Sequence, residues 1–558
     1  MAMGAYSEAH ICQCLNRLIT HRRNATVMIN IDGGVTRHKT GMQFAQGVIS
    51  LAHGLTQLGL KPGHVVAIAA LNSDTYMEWV LAITCVGGIA APFNYRWSAE
   101  EARQAANEVK PAMLVTDTSC DHWHSTLQSH IRWHASMNHV RLTDPTSLSP
   151  PRLLWPPNKA ALLCFTSGTS GNPKAAIITH SALVVQSLAK LALAGYTEDD
   201  IYLHTAPLCH IGGLSSALAN LMAGARHVIL PKFEVTAAVK AMEEHHVTST
   251  IVVPAMMADL TSTTMSTKPS KQFQTVRKIL NGGGGLSAGL IQSATETFPR
   301  AKLMTAYGMT EACSSLTFMT LYDPTFGSHT QHPEMIKGRS SRLAQSGGVC
   351  VGKPAPHVEV KISHDGSSEG GKILTRGPHT MLGYWGHTPA EASRPEDEGW
   401  FETGDVGAID EKGNLWIRGC DSGRIKSGGE NVYPEQAEAV LLQHPALSAA
   451  VVSWAPGPSL TEMVVACIQL KENWKWVDRD GMGDGSDTAS KEKEVLQRYC
   501  RIQHLTRFKV PKLYIQWRRP FPMTTTGKVR RNELKKEALL RWPKEQPAPT
   551  WPSISSNL

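Results

Sequence analysis

The chain has no paired CxxC spacing, although eleven cysteines are scattered from Cys12 to Cys500. An odd, unclustered set of this kind excludes a zinc ribbon and a disulfide framework, and it points to a reducing compartment. Long apolar runs are missing too. The longest, Trp79 to Pro92 (WVLAITCVGGIAAP), falls short of the roughly 20 residues a membrane span needs and is broken by glycines. It is expected to be a buried helix and turn. The opening residues lack the apolar block of a signal peptide, and Glu8 with few serines ill suits a transit peptide. Targeting information is expected at the other end, where Ser556, Asn557 and Leu558 approximate the SKL-type address. Long basic runs are absent as well. A formal charge of +8 spread over 558 residues excludes a nucleic-acid arm and suits small anionic ligands.

What is present is a foldable chain, 42% hydrophobic and 18% charged, too long for one compact core. Apolar residues recur at helical spacing from Gly41 to Leu60 and from Thr75 to Gly87. Short β-rich runs separate or follow them: Val65 to Ala69, Met113 to Thr116, Ala160 to Phe165, Ile177 and Ile178, His227 to Leu230, Thr250 to Val253 and Lys302 to Thr305. Alternation of this kind predicts an α/β sheet with functional loops at the strand ends. From Gly347 to Ile417 the texture changes to short strands and turns, which predicts a smaller β subdomain. After Lys426 a compact α+β segment follows, with a helix over Pro434 to Gln443 and strands over Ala449 to Val452 and Met463 to Gln469. A hinge is expected near Asp421 to Lys426. Asp323 to Gly348, Lys475 to Ser490 and the proline-rich end after Trp542 are expected to be loops or tails.

The strongest motif is Thr166 to Lys174, TSGTSGNPK, directly after the strand-like AALLCF. Its hydroxyls, glycines and lysine on a strand-exit loop can wrap donors around a polyphosphate. It is not a Walker loop, because Pro173 and Ala175 stand where that motif needs glycine and a magnesium-binding hydroxyl. A plain surface loop is the alternative. Asn281 to Leu286 (NGGGGL) contains Gly282, Gly283, Gly284 and Gly285, which let backbone lie flat against a planar ring. In Tyr307 to Glu311 (YGMTE), Tyr307 can stack on a base, Thr310 can donate to a phosphate, and Glu311 can hold Mg²⁺. The alternative for Glu311 is an exposed carboxylate at a helix start. Asp405, at the end of GWFETGD, is placed to accept both hydroxyls of a ribose from beyond a tight glycine turn. Ile425 to Val432 (IKSGGENV) puts Lys426 beside Ser427, Gly428 and Gly429, and FPMTTTGKVRRNEL presents Lys528 on a Thr/Gly loop. Each lysine alone would normally be solvated.

In order and spacing, TSGTSGNPK, NGGGGL, YGMTE, GWFETGD, IKSGGENV and TTTGK resemble the adenylate-forming superfamily of acyl-CoA synthetases, peptide-synthetase adenylation domains and luciferases. The resemblance covers nearly the whole chain. It implies an α/β fold with a large N-terminal domain of αβ subdomains plus a small β subdomain, and a small mobile α+β C-terminal domain. The domains implied are 1–421 and 422–540, with 541–558 as a tail. Thr166, Ser167, Gly168, Thr169, Ser170, Gly171 and Lys174 would hold pyrophosphate. Gly282 to Gly285 and Tyr307 would surround adenine, Glu311 would hold magnesium, and Asp405 the ribose. Lys528 would bridge the carboxylate and the α-phosphate, with Thr310 and Glu311 assisting. Arg424, Lys426, Ser427, Gly428 and Gly429 would serve the hinge and CoA. For the acid, the resemblance points to PLCHIGGL, with His210 as gate or wall beside Gly212 and Gly213; a structural histidine is the alternative.

Within the superfamily, HICQCLNRL, EWVLAITCVGGIAAPFNYRWS, HLTRFKVPK and FPMTTTGKVRRNEL are similar to the plant branch that activates 2-succinylbenzoate on the route to phylloquinone. That branch is associated with chloroplasts and peroxisomes. The implied partners are a small acid, ATP, Mg²⁺ and coenzyme A, without nucleic acid or a membrane span; the oligomeric state stays open. The acid's second carboxylate would need a cation, for which Arg226 and Lys232 are candidates. One departure stands out. Many family members carry Arg six residues before the hinge-side lysine and Asp or Lys two residues after that arginine, whereas this chain has Cys420 and Ser422. Arg418 or Arg424 would then have to assist at the ribose. A ligase for another aromatic or fatty acid, a luciferase-type oxidation and a non-catalytic nucleotide-binding protein are the rival readings.

Overall fold

The computed structural model describes residues 9–137, 153–167, 173–267, 272–326, 348–363, 370–387, 399–420, 423, 425–427, 430–456, 462–471, 474, 488–503, 505, 509–523 and 529–541. A six-stranded sheet runs in the order Trp133–Ser136, Met113–Thr116, Val65–Ala69, Ile89–Phe93, Ala160–Ser167, Pro173–Thr179. All neighbours are parallel except the last pair, a hairpin. Every residue of VVAIA and IAAPF is buried, as expected of parallel strands covered on both faces.

Among the described residues the second sheet has thirteen strands. Its parallel part places Thr26–Asp32, Arg226–Ile229, Ile201–His204, Ser249–Val252, Lys278–Asn281 and Lys302–Tyr307 side by side. Beyond Lys302–Tyr307 it becomes antiparallel through Thr317–Tyr322, Val349–Pro354, Leu415–Cys420, Phe401–Ile409, Gly371–Arg376 and Glu359–Ser363. The expected small β subdomain is therefore continuous with the parallel sheet, joined where Thr317 and Phe318 pair with Pro354 and Lys353.

Helices Gly41–Gln57, Asp74–Cys85, His180–Ala194 and Ile211–Ala223 share one apolar core with strands of both sheets, in which Met28, Phe44, Ile68, Trp79, Leu162, Leu183 and Leu218 pack together. Helix Gly41–Gln57 starts at a reciprocal cap: Thr40 Oγ1 accepts from the Gln43 amide at 3.2 Å and Gln43 Oε1 from the Thr40 amide at 2.8 Å. The C-terminal domain has a separate sheet, Leu447–Pro456, Glu462–Leu470 and Leu513–Gln516, against helices Pro434–Leu441, Thr488–Ile502 and Arg531–Arg541. It has its own apolar cores around Val452, Ala466 and Leu496, and around Val465, Trp517 and Leu534. The fold is thus a large α/β N-terminal domain with a small α+β C-terminal one.

Two expectations change. Trp79 to Pro92 is a helix only to Cys85; after a turn with Gly87 at φ +75° the chain re-enters the sheet as Ile89–Phe93. The apolar pattern alone does not separate a buried helix from a buried strand. Of the loop expected over 475–490, residues 475–487 lie outside the described set, and its last three residues open helix Thr488–Ile502. Residues 327–347 and 542–558 also lie outside it. Among the described residues no helix is long and apolar enough to cross a membrane, and the ten cysteines whose side chains are described are buried and lie outside any disulfide.

Candidate active site

The parallel strands deliver the motifs to one edge. Ala160–Ser167 leads into TSGTSGNPK, Lys278–Asn281 into the glycine run, Lys302–Tyr307 into YGMTE, and Ile201–His204 into PLCHIGG. Open α/β sheets bind ligands beyond such carboxyl ends. The two sheets are tied together there by Asn72, whose Oδ1 accepts from the Leu208 amide at 2.7 Å while its Nδ2 donates to Ala206 O at 3.3 Å.

Hairpin register sets Thr166 opposite Lys174. Both converge on Tyr384: the Thr166 hydroxyl is hydrogen-bonded to it, and Lys174 Nζ stands 5.4 Å from its ring centroid. From the other sheet, Glu311 Oε1 accepts from Tyr384 Oη at 2.7 Å. Burial, then the Glu311 charge, raises the Tyr384 phenol far above its usual range, so it remains a donor to that carboxylate. The backbone reinforces the contact, because Met381 N donates to Glu311 O at 2.8 Å while Leu382, Gly383 and Trp385 pair with Ile177 and Ala175. Ser167 belongs to the hairpin strand, but Gly168, Thr169, Ser170 and Gly171 lie outside the described residues.

Tyr307 closes its strand and donates through Oη to Asp405 Oδ2 at 2.6 Å. A base lying on that ring would bring its ribose to that carboxylate. Asp405 sits within strand Phe401–Ile409, next to Gly404 at φ +77°, and not beyond a turn as expected. Gly308 is demanded by geometry: a Cβ there would stand 1.6 Å from Ser314 O. Thr310 and Glu311 follow in a short helical turn, with Glu311 buried. The alternative of an exposed helix-start carboxylate therefore fails. Gly283 adopts φ +73°, and Gly283, Gly284 and Gly285 are exposed beside the half-buried Gly282. Asn281 Nδ2 holds this run by donating to Gly284 O at 2.7 Å.

On the side expected for the acid, His210 precedes helix Ile211–Ala223, with Nε2 3.4 Å from Asn94 Nδ2. Burial, then the positive charge of Arg96, pushes its pKa down to about 4, so it works as a neutral ring. A Cβ on Gly212 would meet nothing within 4 Å, whereas one on Gly213 would stand 2.3 Å from Pro207 O. Gly212 thus borders open space and Gly213 permits a close approach of helix and loop. Lys232 is exposed just past the carboxyl end of its strand. Arg226 does not fit the second-carboxylate role: it opens strand Arg226–Ile229, at the end of the parallel sheet opposite the motifs, with Nε on Thr26 O at 3.4 Å.

Register places Asp405 opposite Cys420. Arg418 is buried two residues earlier, with its guanidinium carbon 3.7 Å from where a Cβ on Gly370 would stand. Ser422, Arg424, Gly428, Gly429 and Lys528 lie outside the described residues; Lys426 and Ser427 are described as part of the short strand Ile425–Ser427. Met523 and Val529 pair on either side of the Lys528 segment. Among the described residues no group of three His, Cys, Asp or Glu could cage a metal. A single buried carboxylate beside hydroxyl oxygens suits Mg²⁺ shared with phosphate oxygens, so Glu311 fits that ion. The sequence reading missed Tyr384, Asn72 and Asn94, each far from the motif it serves.

Comparisons with known proteins identify the family. Residues 16–385 match the family described as AMP-binding enzyme. The chain is 49% identical over 565 residues to the chloroplastic/peroxisomal 2-succinylbenzoate–CoA ligase of Arabidopsis thaliana, covering 96% of this chain and 98% of that one. Among solved structures it is similar to o-succinylbenzoate CoA synthetase of Bacillus subtilis in complex with the acyl-adenylate intermediate OSB-AMP, with TM-score 0.75 and 26% identity over 94% of this chain and 97% of the other. The same Bacillus subtilis enzyme in complex with ATP and magnesium gives TM-score 0.74 and 26% identity, covering 94% and 99%.

Proposed function

We propose, from the premise that this chain belongs to the AMP-binding enzyme family, that it joins 2-succinylbenzoate to coenzyme A through an acyl-adenylate, releasing AMP and pyrophosphate. The observation that carries the reaction type is the convergence of Thr166, Lys174 and Glu311 on Tyr384, next to the Tyr307 and Asp405 pair. The substrate is inferred from the Arabidopsis relative and the Bacillus subtilis adenylate complex. As for that Arabidopsis relative, the site of action is taken to be the chloroplast, the peroxisome or both.

Adenylation forces a carboxylate against the α-phosphate of ATP. Two unit charges at ~4 Å repel by about 4 kcal/mol at an effective dielectric of 20, so one placed ammonium removes much of the obstacle. Lys528 is the proposed source. The carboxylate oxygen attacks the α-phosphorus, the bond to the β-phosphate oxygen breaks, and pyrophosphate leaves held by donors of the 166–174 loop. Asp405 and Tyr307 hold the nucleoside while this happens. Glu311 would hold magnesium, which when bound would supply positive charge against the phosphates. The CoA thiol then attacks the mixed anhydride and AMP departs. A lysine on the carboxylate would obstruct that thiol, which gives residues 422–540 a reason to rotate between steps about a hinge near 421–426.

The experiment is AMP formation from ATP and 2-succinylbenzoate, with and without CoA. The expected result is AMP and a thioester in stoichiometric amounts with CoA. Turnover with other aromatic or fatty acids but none with 2-succinylbenzoate would refute the substrate.

A further inference from the structure

Beneath the turn that follows Glu311 lies a lysine that no step above uses. Lys190, on helix His180–Ala194, is fully buried, and its Nζ donates to Ser215 Oγ at 2.5 Å, Ser216 Oγ at 3.0 Å and Ser314 Oγ at 3.2 Å. Three elements meet at this nitrogen: its own helix, the helix that begins after His210, and the turn behind Glu311. One turn earlier on the same helix, Gln186 is also fully buried and donates to Ala312 O at 3.1 Å and Ser315 O at 2.6 Å.

The turn they grip closes through Ser314 N on Met309 O at 3.1 Å and Leu316 N on Tyr307 O at 2.7 Å, but its backbone is strained. Cys313 has φ +52° and Ser314 φ +104°, conformations that side chains disfavour and that persist only where the surroundings over-determine them. Burying an ammonium away from carboxylates is unfavourable, and burial accordingly pushes the Lys190 pKa down to about 7. The titratable neighbour is the Cys313 thiol, which burial pushes up to about 12 and keeps neutral. The hydroxyls around Nζ donate or accept, so the same cage serves amine and ammonium. A side chain needed only for volume would be apolar. A satisfied buried polar network instead selects one conformation.

We propose that Lys190, together with Gln186, is a positioning residue that fixes the 308–316 turn, and so Thr310 and Glu311, against the helix that lines the acid side. The inference rests on the functional reading given above, and it adds a mechanical link between nucleotide and acid pockets. The test uses the full chain with Lys190→Met, which keeps length and bulk, and Ser314→Ala, which removes a single hydroxyl and survives if the first variant fails to fold.

Amide hydrogen exchange over 308–316 in the ligand-free protein is read first, because it does not depend on activity. Exchange there rises about tenfold in both variants, the scale of one lost hydrogen bond, while strand Lys302–Tyr307 stays protected. In pyrophosphate exchange the KM values for ATP and for 2-succinylbenzoate rise together, and thioester formation from supplied acyl-adenylate keeps its rate. Unchanged exchange over 308–316, or a rise spread evenly over the chain, would overturn the proposal. A wild-type protein without pyrophosphate exchange overturns the functional reading, and the hydrogen-exchange result still decides this one.

Discussion

The nucleotide side and the acid side meet at the same strand ends but are built differently. On the nucleotide side, directed polar contacts converge on Tyr384, and Tyr307 donates to Asp405 at 2.6 Å. On the acid side, a neutral His210 and two glycines open a helix, one beside free space and one wedged against Pro207 O. The first is a set of bonds and the second is a shaped volume. Bonds need particular side chains at particular strand registers, whereas a volume can be made in many apolar ways. On the proposed reading, the first side would speak for the reaction and the second would decide which acid is taken.

The largest test concerns the residue that belongs to neither side. Lys528→Ala leaves ATP binding largely intact, slows adenylation by roughly two orders of magnitude or more, and spares thioester formation from supplied acyl-adenylate. Pyrophosphate exchange near wild type in that variant would remove Lys528 from the chemistry. Glu311→Gln takes the carboxylate from the Tyr384 cluster and should lower adenylation by about 10–100-fold while raising the magnesium concentration needed for half activity. If magnesium dependence does not move, Glu311 is structural.

Asp405→Asn sharpens the contrast. It should raise the KM for ATP about tenfold, the size of one lost bond to a charged group, and leave the acid KM unchanged. A change in the acid KM instead would merge the two sides. The glycines test the acid side as a volume: Gly213→Ala drives a Cβ into Pro207 O and should cost about 1–3 kcal/mol of stability. Gly212→Ala meets open space, so stability moves by about 1 kcal/mol or less while the acid KM changes. Thermal melts and acid titrations separate the two.

A further effect is a pH slope. Lys190 releases its proton near pH 7 in the fold, against 10.5 ordinarily. Between about pH 7 and 10 the unfolded chain thus binds a proton the native one lacks, so stability rises with pH, by at most about 1.4 kcal/mol per unit. Denaturant midpoints at pH 7 and pH 9 should differ less in Lys190→Met than in the wild type.

The parallel strands were legible because short apolar runs end in glycine or hydroxyl clusters, as AALLCF does. The antiparallel half was only partly legible: Thr317–Tyr322 and Phe401–Ile409 mix exposed and buried positions without a clean alternation. Motif residues were readable because nucleotide chemistry restricts their types. Tyr384 and Lys190 were not, since each acts through partners distant in sequence: Glu311 for the first, Ser215 and Ser314 for the second. No local spacing encodes such contacts. Arg226 misled for the same reason, because its charge was visible and its end of the strand was not.

The central claim is that this chain captures an acid on the α-phosphate of ATP before CoA takes part. Pyrophosphate exchange into ATP, measured with 2-succinylbenzoate and magnesium in the absence of CoA, tests it most directly. Exchange is expected to appear with the acid and to vanish without it. Exchange that requires CoA, or that no acid elicits from folded protein, would contradict it.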